Sequence, residues 1–579
     1  MRKVFMILIL LGLGHLLFSQ DVTNAGLKDK SRHLVSSEYD RNSLTIINLG
    51  FQGNYSSQLS SIIGAVKIPE KYFDNTVSNP VIVPAEARES GVIMGHPYKL
   101  LNAPFVTNAL TKAKVGQMVV SKWFNRDQNG NFSVELLKER GIYNATDNDV
   151  MVADASKRGT AALMDMGMGL IDKSYVLVFD FPEIMTMEEI YNRDTVPANK
   201  RIMNGFTGKM NAYLYKLNFD EEQATIFYQN LWVSGNSTDT QKRRDLFEQH
   251  NFPLNFIRAY SEDLTATQFN PGQVLAPKVQ KTQPEMMKML VETGLQQCLT
   301  KIENTNESFR VKAMIYKTNP IAVKIGKKED LKYDQRFYAY ENRQNRKGET
   351  YSVRQGVVKS MSVANNLQVA TGESEPSLFY QVAGKKLDNL GMFIEQKNAL
   401  GMNLFLGYTE QGMSGLTGRF ELYISPVLYA AFVREGLSKG LRSIKLYAEA
   451  GYNNESYLEM NSVDLFEYDF LKYSFGLSKE FFLTRNIHLD PFVGYGFEDA
   501  TPSGDESEEK YSSQYLEYGS RLGINVSPGF QLIGGVNMFS VLTSEKTAGA
   551  ESEPESFIYG DQFIDRKGPG ISFGIRLTF

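Results

Sequence analysis

The sequence predicts an α+β region followed by a C-terminal transmembrane antiparallel β-barrel of eight strands. Three observations carry this. Residues 401–579 hold eight segments in which apolar and polar residues alternate, the period of a strand whose two faces meet different surroundings. The three longest connections, 453–468, 499–512 and 543–567, all follow odd-numbered segments, as in outer-membrane barrels with short inner turns and long outer loops. Finally, an export leader precedes the chain and the last segment ends on Phe579.

The leader is residues 1–20. Arg2 and Lys3 precede an apolar run at 4–18 that is too short to span a membrane, and cleavage is expected near Ser19 and Gln20. With no Cys beside that point, no lipid anchor is expected. The remaining length allows more than one domain. Residues 21–103 read as an N-terminal extension holding one short strand at 43–49 and a Pro-containing patch at 80–97.

Residues 104–304 read as a mixed α/β periplasmic domain. Helices are expected at 106–124, 132–139 and 149–169. A buried strand follows at 174–181, around Tyr175, Val176, Leu177, Val178 and Phe179, and then a hairpin of 211–218 with 224–232. The clearest helix is 283–304, with Thr282 able to cap it and Pro284 in its first turn. Met287, Val291, Leu295, Cys298 and Ile302 share one of its faces. Cys298 is therefore expected as a buried core thiol, and a single Cys excludes an intramolecular disulfide. This succession of elements resembles the periplasmic α/β domains of the curli-exporter lipoprotein family, a resemblance that transfers no residue role.

Residues 305–385 shift to strands and read as a small all-β module, a five-stranded barrel or roll of the SH3 or OB type. Arg343, Arg346 and Lys347 lie near Tyr338 and Tyr340, a pairing that single-stranded nucleic-acid sites also use. An exported chain of net charge -4 argues against that partner, and the basic residues read as solvated turn charges. Residues 386–400 read as a linker.

In the barrel the last segment shows the pattern best. Ile571, Phe573, Ile575, Leu577 and Phe579 fall on one face, and Ser572, Gly574, Arg576 and Thr578 on the other. Arg419, Glu421, Lys445, Glu449, Glu517, Arg521 and Arg576 all lie on polar faces. Unpaired charge is costly in hydrocarbon, so the apolar face should meet lipid and the charges should pair inside. Eight strands leave a lumen that side chains fill, which predicts a plugged interior and no diffusion pore. The competing architecture, a soluble β-barrel or β-sandwich with an acidic surface, would bury the apolar face instead. The outer loops are acidic, with Glu498, Asp499, Asp505, Glu506, Glu508 and Glu509 in one and Glu545, Glu551, Glu553, Glu555, Asp561 and Asp565 in another.

In strand count, loop alternation and aromatic terminus, residues 401–579 resemble the OmpA/OmpX-type eight-stranded membrane proteins. The resemblance implies outer-membrane lipid and the barrel assembly machinery as partners, with Phe579 as the assembly signal. The soluble region here comes before the barrel, without a peptidoglycan-binding motif. The richness in Tyr, Phe and Asn, and the leader ending in Ser-Gln, resemble proteins of the Bacteroidota.

No catalytic constellation stands out. His33, His96, His250 and His488 are scattered without metal-ligand spacing. Gly159, Gly167 and Gly169 lack the strand–turn–helix setting of a phosphate loop. Asp147, Asp149 and Asp154 suit a helix start. The expectation is an outer-membrane anchor that presents a periplasmic scaffold to envelope proteins, with no cofactor, metal or nucleic acid. The alternatives are a component of a transport or secretion channel, and a periplasmic hydrolase tethered by the barrel.

Overall fold

The computed structural model describes residues 41–579 apart from 52, 78–84, 145–168, 234–238, 348–349, 368–374, 389–390, 398, 400, 427–434, 459–464, 504–508, 549–552 and 567. The leader and the helix expected at 149–169 thus lie outside, or almost wholly outside, the described residues.

The first unit is built on five strands: β1 (Ser43–Leu49), β2 (Phe73–Asp74), β3 (Ser174–Thr186), β4 (Met203–Leu217) and β5 (Leu254–Phe269). Their order is β2-β1-β3-β4-β5. β2, β1 and β3 run parallel, and β3, β4 and β5 form an antiparallel meander. Every residue of β1 is buried, as a strand covered on both faces requires. On one face Leu44, Ile46, Leu177 and Phe179 pack with Leu59 and Ile63 of helix Ser56–Gly64 and with Leu290 and Cys298 of helix Gln283–Thr305. On the other, Ile47, Val176, Val178 and Tyr213 meet Val106, Val120, Trp123 and Phe227. The result is a three-layer sandwich in which the N-terminal extension supplies an inner strand.

Three local expectations are corrected. Residues 224–232 do not pair with β4. They form helix Glu221–Ile226 and a π-helical turn Phe227–Leu231, and β4 pairs with β5 instead. Phe227 and Leu231 are both buried four residues apart, a helical spacing hidden within apparent alternation. The helix expected at 106–124 is two, Ala103–Lys112 and Val115–Trp123, separated at Lys114, whose φ is 55°. The helix expected at 132–139 runs Glu135–Asn144. Helix Gln283–Thr305 starts on a capping box in which Thr282 and Glu285 satisfy each other's backbone N–H groups.

The second unit is a closed barrel of six strands rather than five. β6 (Lys312–Thr318), β7 (Ile321–Val323), β8 (Arg336–Gln344), β9 (Thr350–Ser362), β10 (Ser377–Gly384) and β11 (Met392–Gln396) follow the order β10-β7-β6-β11-β8-β9. β11 comes from the stretch read as a linker and closes the barrel between β6 and β8. Its run Met-Phe-Ile is too short to show a period, yet all three residues are buried.

The third unit is the eight-stranded barrel. Its staves are β12 (Met402–Glu410), β13 (Gly415–Tyr423), β14 (Ile444–Leu458), β15 (Leu465–Lys479), β17 (Ile487–Pro502), β18 (Glu509–Ser527), β19 (Phe530–Ala548) and β21 (Gly570–Thr578). Two-residue strands β16 (Phe481–Phe482) and β20 (Glu555–Ser556) add to it. Every neighbouring pair is antiparallel, and β21 closes on β12 from Asn403↔Thr578 to Glu410↔Ile571. Phe475, Val493, Leu532, Ile571 and Phe573 point outward and are half exposed, while Arg419, Lys445, Glu517 and Arg576 point inward and are buried. This inverts the soluble pattern, so the outer face calls for an apolar solvent. Among the described residues no helix is long and apolar enough to cross a membrane.

β18 and β19 each run 19 residues, whereas about 9–11 suffice to cross a bilayer. Barrel walls therefore continue into much of what the sequence predicted as long outer loops.

Candidate functional site

The lumen and its two ends hold the densest buried chemistry. Alternation along each strand sends every second side chain inward. Among the described residues of 402–579, the buried charged set is Arg419, Lys445, Lys472, Arg521, Arg566 and Arg576 against Glu421, Glu449, Glu480, Asp490, Glu498 and Glu517. Six cations thus face six anions, and balance is what lets charge sit in a low-dielectric interior.

Two clusters fill the interior. In one, Arg576 Nη2 lies 2.6 Å from Asp490 Oδ2 and 3.1 Å from Glu421 Oε1, and Lys445 Nζ lies 2.8 Å and 3.2 Å from the same two residues. In the other, Glu449 Oε2 is shared by Arg419 Nε at 2.6 Å and Arg521 Nη2 at 3.0 Å. Tyr447 and Ser474 donate hydroxyl bonds of 2.7 and 2.8 Å to Glu517. The Arg419 guanidinium stacks 3.8 Å from the Tyr447 ring centroid, and Arg521 lies 4.5 Å from that of Phe405, so ring faces supply part of the solvation that water would. All seven charged residues singled out in the sequence lie here. Asp490, Lys472, Glu480, Glu498 and Arg566 are additional members.

The outer end is stopped by the last loop. Its short helices Tyr559–Gln562 and Ile564–Arg566 fold into the mouth. Arg566 pairs with Glu498, reaches Glu455 at 3.3 Å and lies 3.8 Å from the Phe470 ring centroid. Tyr559 donates to Glu498. The Phe563 ring centroid sits 5.1–5.6 Å from those of Tyr457, Tyr468, Phe470 and Tyr511. This corrects the reading of Glu498 as part of a free acidic loop. Asp499 and Glu509 are also partnered, by Lys510 at 3.0 Å and Lys546 at 2.8 Å. Asp505, Glu506, Glu508 and Glu551 lie outside the described residues.

The inner end is closed by the small barrel. Lys359 of β9 reaches Asp334 at 3.2 Å and Glu480 at 3.3 Å. Tyr423 donates to Glu480 at 2.9 Å and accepts from Arg336 at 3.1 Å. Asp334 accepts the Ser443 backbone N–H at 2.6 Å. Burial alone would lower the Lys359 pKa. Asp334, then Tyr380, Tyr423 and Glu480, reverse this and hold the ammonium well above its ordinary value. Further from the barrel, Arg41–Glu329 at 2.5 Å joins the α/β unit to the small barrel, and Arg310, 3.1 Å from Glu395, donates to the Glu303 and Asn304 carbonyls at the end of helix Gln283–Thr305.

Glu480, His488 and Asp490 bring three ligand atoms within 4.8 Å of one another, a grouping that sequence spacing concealed. Arg576 and Lys445 already hold Asp490, and Lys359 holds Glu480. A divalent cation would meet three positive groups, so this cluster serves the ion-pair network. Arg343 lies in strand β8 and not in the turn, exposed and paired with Glu341 at 2.6 Å. Phe579 donates its backbone N–H to Met402 O at 3.0 Å, extending the closing seam. Cys298 is buried, and desolvation followed by Glu262 pushes its thiol pKa up, the opposite of an activated nucleophile.

No protein-family model and no curated protein matches the sequence. Among solved structures, the chain is similar to a major outer membrane protein from Thermus thermophilus, at 12% identity over 31% of this chain and 98% of that one, with a TM-score of 0.21. It is also similar to Ail, the attachment invasion locus protein of Yersinia pestis, at 14% identity over 31% and 97%, TM-score 0.18. A third likeness is to the N-terminal β-barrel domain of Pseudomonas aeruginosa OprF, at 12% identity over 32% and 100%, TM-score 0.17.

Proposed function

We propose that this chain is an outer-membrane anchor that holds a rigid periplasmic scaffold for another envelope protein. The observation that carries the reading is the state of the barrel: its lumen is filled by paired charges, stopped outside by Phe563 and Arg566, and sealed inside by Lys359. A lumen so occupied favours anchoring over conduction. The buried Lys359 contacts, the Arg41–Glu329 pair and the bonds of Arg310 to the Glu303 and Asn304 carbonyls favour a stiff stack over a tethered one.

The far pole supports a partner. Helix Gln283–Thr305 has 23 residues, about 34 Å at about 1.5 Å per residue, and its C-terminal end meets the small barrel. Its opposite end emerges from loop 270–282, where Val274, Leu275 and Val279 are 100%, 72% and 82% exposed. Apolar side chains left bare on a loop tip mark an interaction site. In this reading the barrel contacts outer-membrane lipid, Phe579 is read by the barrel assembly machinery, and the α/β unit faces the periplasm without catalysing a reaction. A photo-crosslinking residue placed at Val274 or Leu275 in cells is expected to capture one envelope protein, with none captured from the exposed Glu222 position. Equal labelling at both positions would overturn the scaffold reading.

A further inference from the structure

A cavity of about 1020 Å³ lies at the junction of the small barrel and the inner rim of the membrane barrel, at the upper end of the size range of ligand sites. One wall comes from the small barrel, including Pro320, Ile321, Phe379 and Leu387. The other comes from the turn between β15 and β17 and the end of β18, including Arg485, Ile487 and Ile524. Two bonds hold the two walls together: Asn486 Oδ1 accepts the Gly384 N–H at 2.8 Å, and Asn525 Nδ2 donates to Val382 O at 2.8 Å.

The position and the lining together select an occupant. Ile524 belongs to the outward apolar belt, and Leu483, Phe481 and Val526 beside it are 61%, 47% and 59% exposed. The groove is thus continuous with the lipid-facing wall at its periplasmic edge, where that wall meets headgroups. Its mouth carries the exposed cations Arg485 and Lys386, with Lys385 adjacent, against the single acid Asp388, which lies 3.8 Å from Lys386. An apolar trough opening onto hydrocarbon and rimmed by net positive charge complements an amphiphile with an anionic head. A soluble anion would leave the apolar walls unused, and a neutral lipid would leave the cations unmatched.

We infer that this groove holds one anionic phospholipid of the inner leaflet, its phosphate between Arg485 and Lys386 and its acyl chains along Ile487 and Ile524. The inference rests on the membrane reading of the barrel. The bound lipid would fill the angle between the two barrels and fix the small barrel against the bilayer surface.

Native mass spectrometry of the full-length protein in detergent, with dioleoylphosphatidylglycerol or dioleoylphosphatidylcholine added, tests it. The wild type is expected to retain one phosphatidylglycerol and little phosphatidylcholine. The double variant Arg485→Glu, Lys386→Glu should lose phosphatidylglycerol retention by tenfold or more. Equal retention of both lipids, unchanged retention by the variant, or displacement by millimolar inorganic phosphate would each overturn the inference. Heat-dependent gel mobility, read on the same samples, separates the two failures. If the shift is present and the lipid result is negative, only the groove assignment falls. If the shift is absent, the membrane reading falls and the groove assignment with it.

Discussion

Lys359 of the small barrel and Glu480 at the rim of the membrane barrel form an ion pair of 3.3 Å, with both side chains 1% exposed. Two independently closed barrels therefore share one buried charge contact, which Asp334, Tyr423 and Arg336 complete. Removing one partner of such a group leaves the others desolvated and unpaired, a loss of about 3–5 kcal/mol. Lys359→Met is expected to release the small barrel from the rim while leaving the membrane barrel folded. Limited proteolysis with gel-mobility readout checks this: the variant should be cut at the junction and its barrel core should keep its heat-dependent shift.

The same pair has a defined pH response. The folded pKa of Lys359 is raised, so its contribution is complete below the unfolded value of about 10.4 and is lost only as pH rises through the higher folded value. Proteolytic resistance of the junction is therefore expected not to fall between pH 7 and pH 10. Loss of resistance between pH 7 and 9 would contradict the assignment.

Lys397, on the connection into β12, behaves in the opposite way. Burial, then Arg336 and Arg354, lowers its pKa to about 7. Between there and about 10.4 the unfolded chain keeps a proton that the folded chain has released, so this residue makes stability rise with pH across that window. Lys397→Met should therefore raise the melting temperature of the periplasmic region at pH 7, with the difference shrinking towards pH 10.

Arg566 ties the inserted loop to Glu498 and Glu455. Arg566→Met should free the loop, making the short helices Tyr559–Gln562 and Ile564–Arg566 protease-sensitive from outside. It should not make a pore, because the Arg419–Glu449 and Arg576–Asp490 contacts still fill the lumen. Planar-bilayer recording is expected to show no unitary conductance in the wild type or the variant, and reproducible steps in the wild type would revive the channel alternative.

Most of the barrel was legible in the sequence because its two environments differ most across the membrane. Segments such as 571–579 and 513–526 alternate cleanly there. Where the walls rise above lipid the contrast vanishes: Asn453, Asn454, Glu455 and Ser456 are polar on both faces and read as loop, yet they continue β14. The lumen network was legible only where charges stood in clean alternation. Asp490 escaped because Pro491 follows it, and Arg566 because it enters from a loop and not from a stave. The inner seal could not be read at all. Nothing local to Lys359 announces a partner at position 480, since that pairing comes from the docking of two folded barrels.

In this fold one face of the C-terminal strands meets hydrocarbon while the other fills the interior. Cys298 is buried, so single cysteines introduced for spin labelling can be modified without background from the folded core. Labels at Leu446, Leu532 and Phe573, all outward and half exposed, should be relaxed strongly by oxygen dissolved in the bilayer and weakly by a water-soluble nickel chelate. Stronger relaxation by the chelate at those three positions would place the apolar face in water and contradict the account.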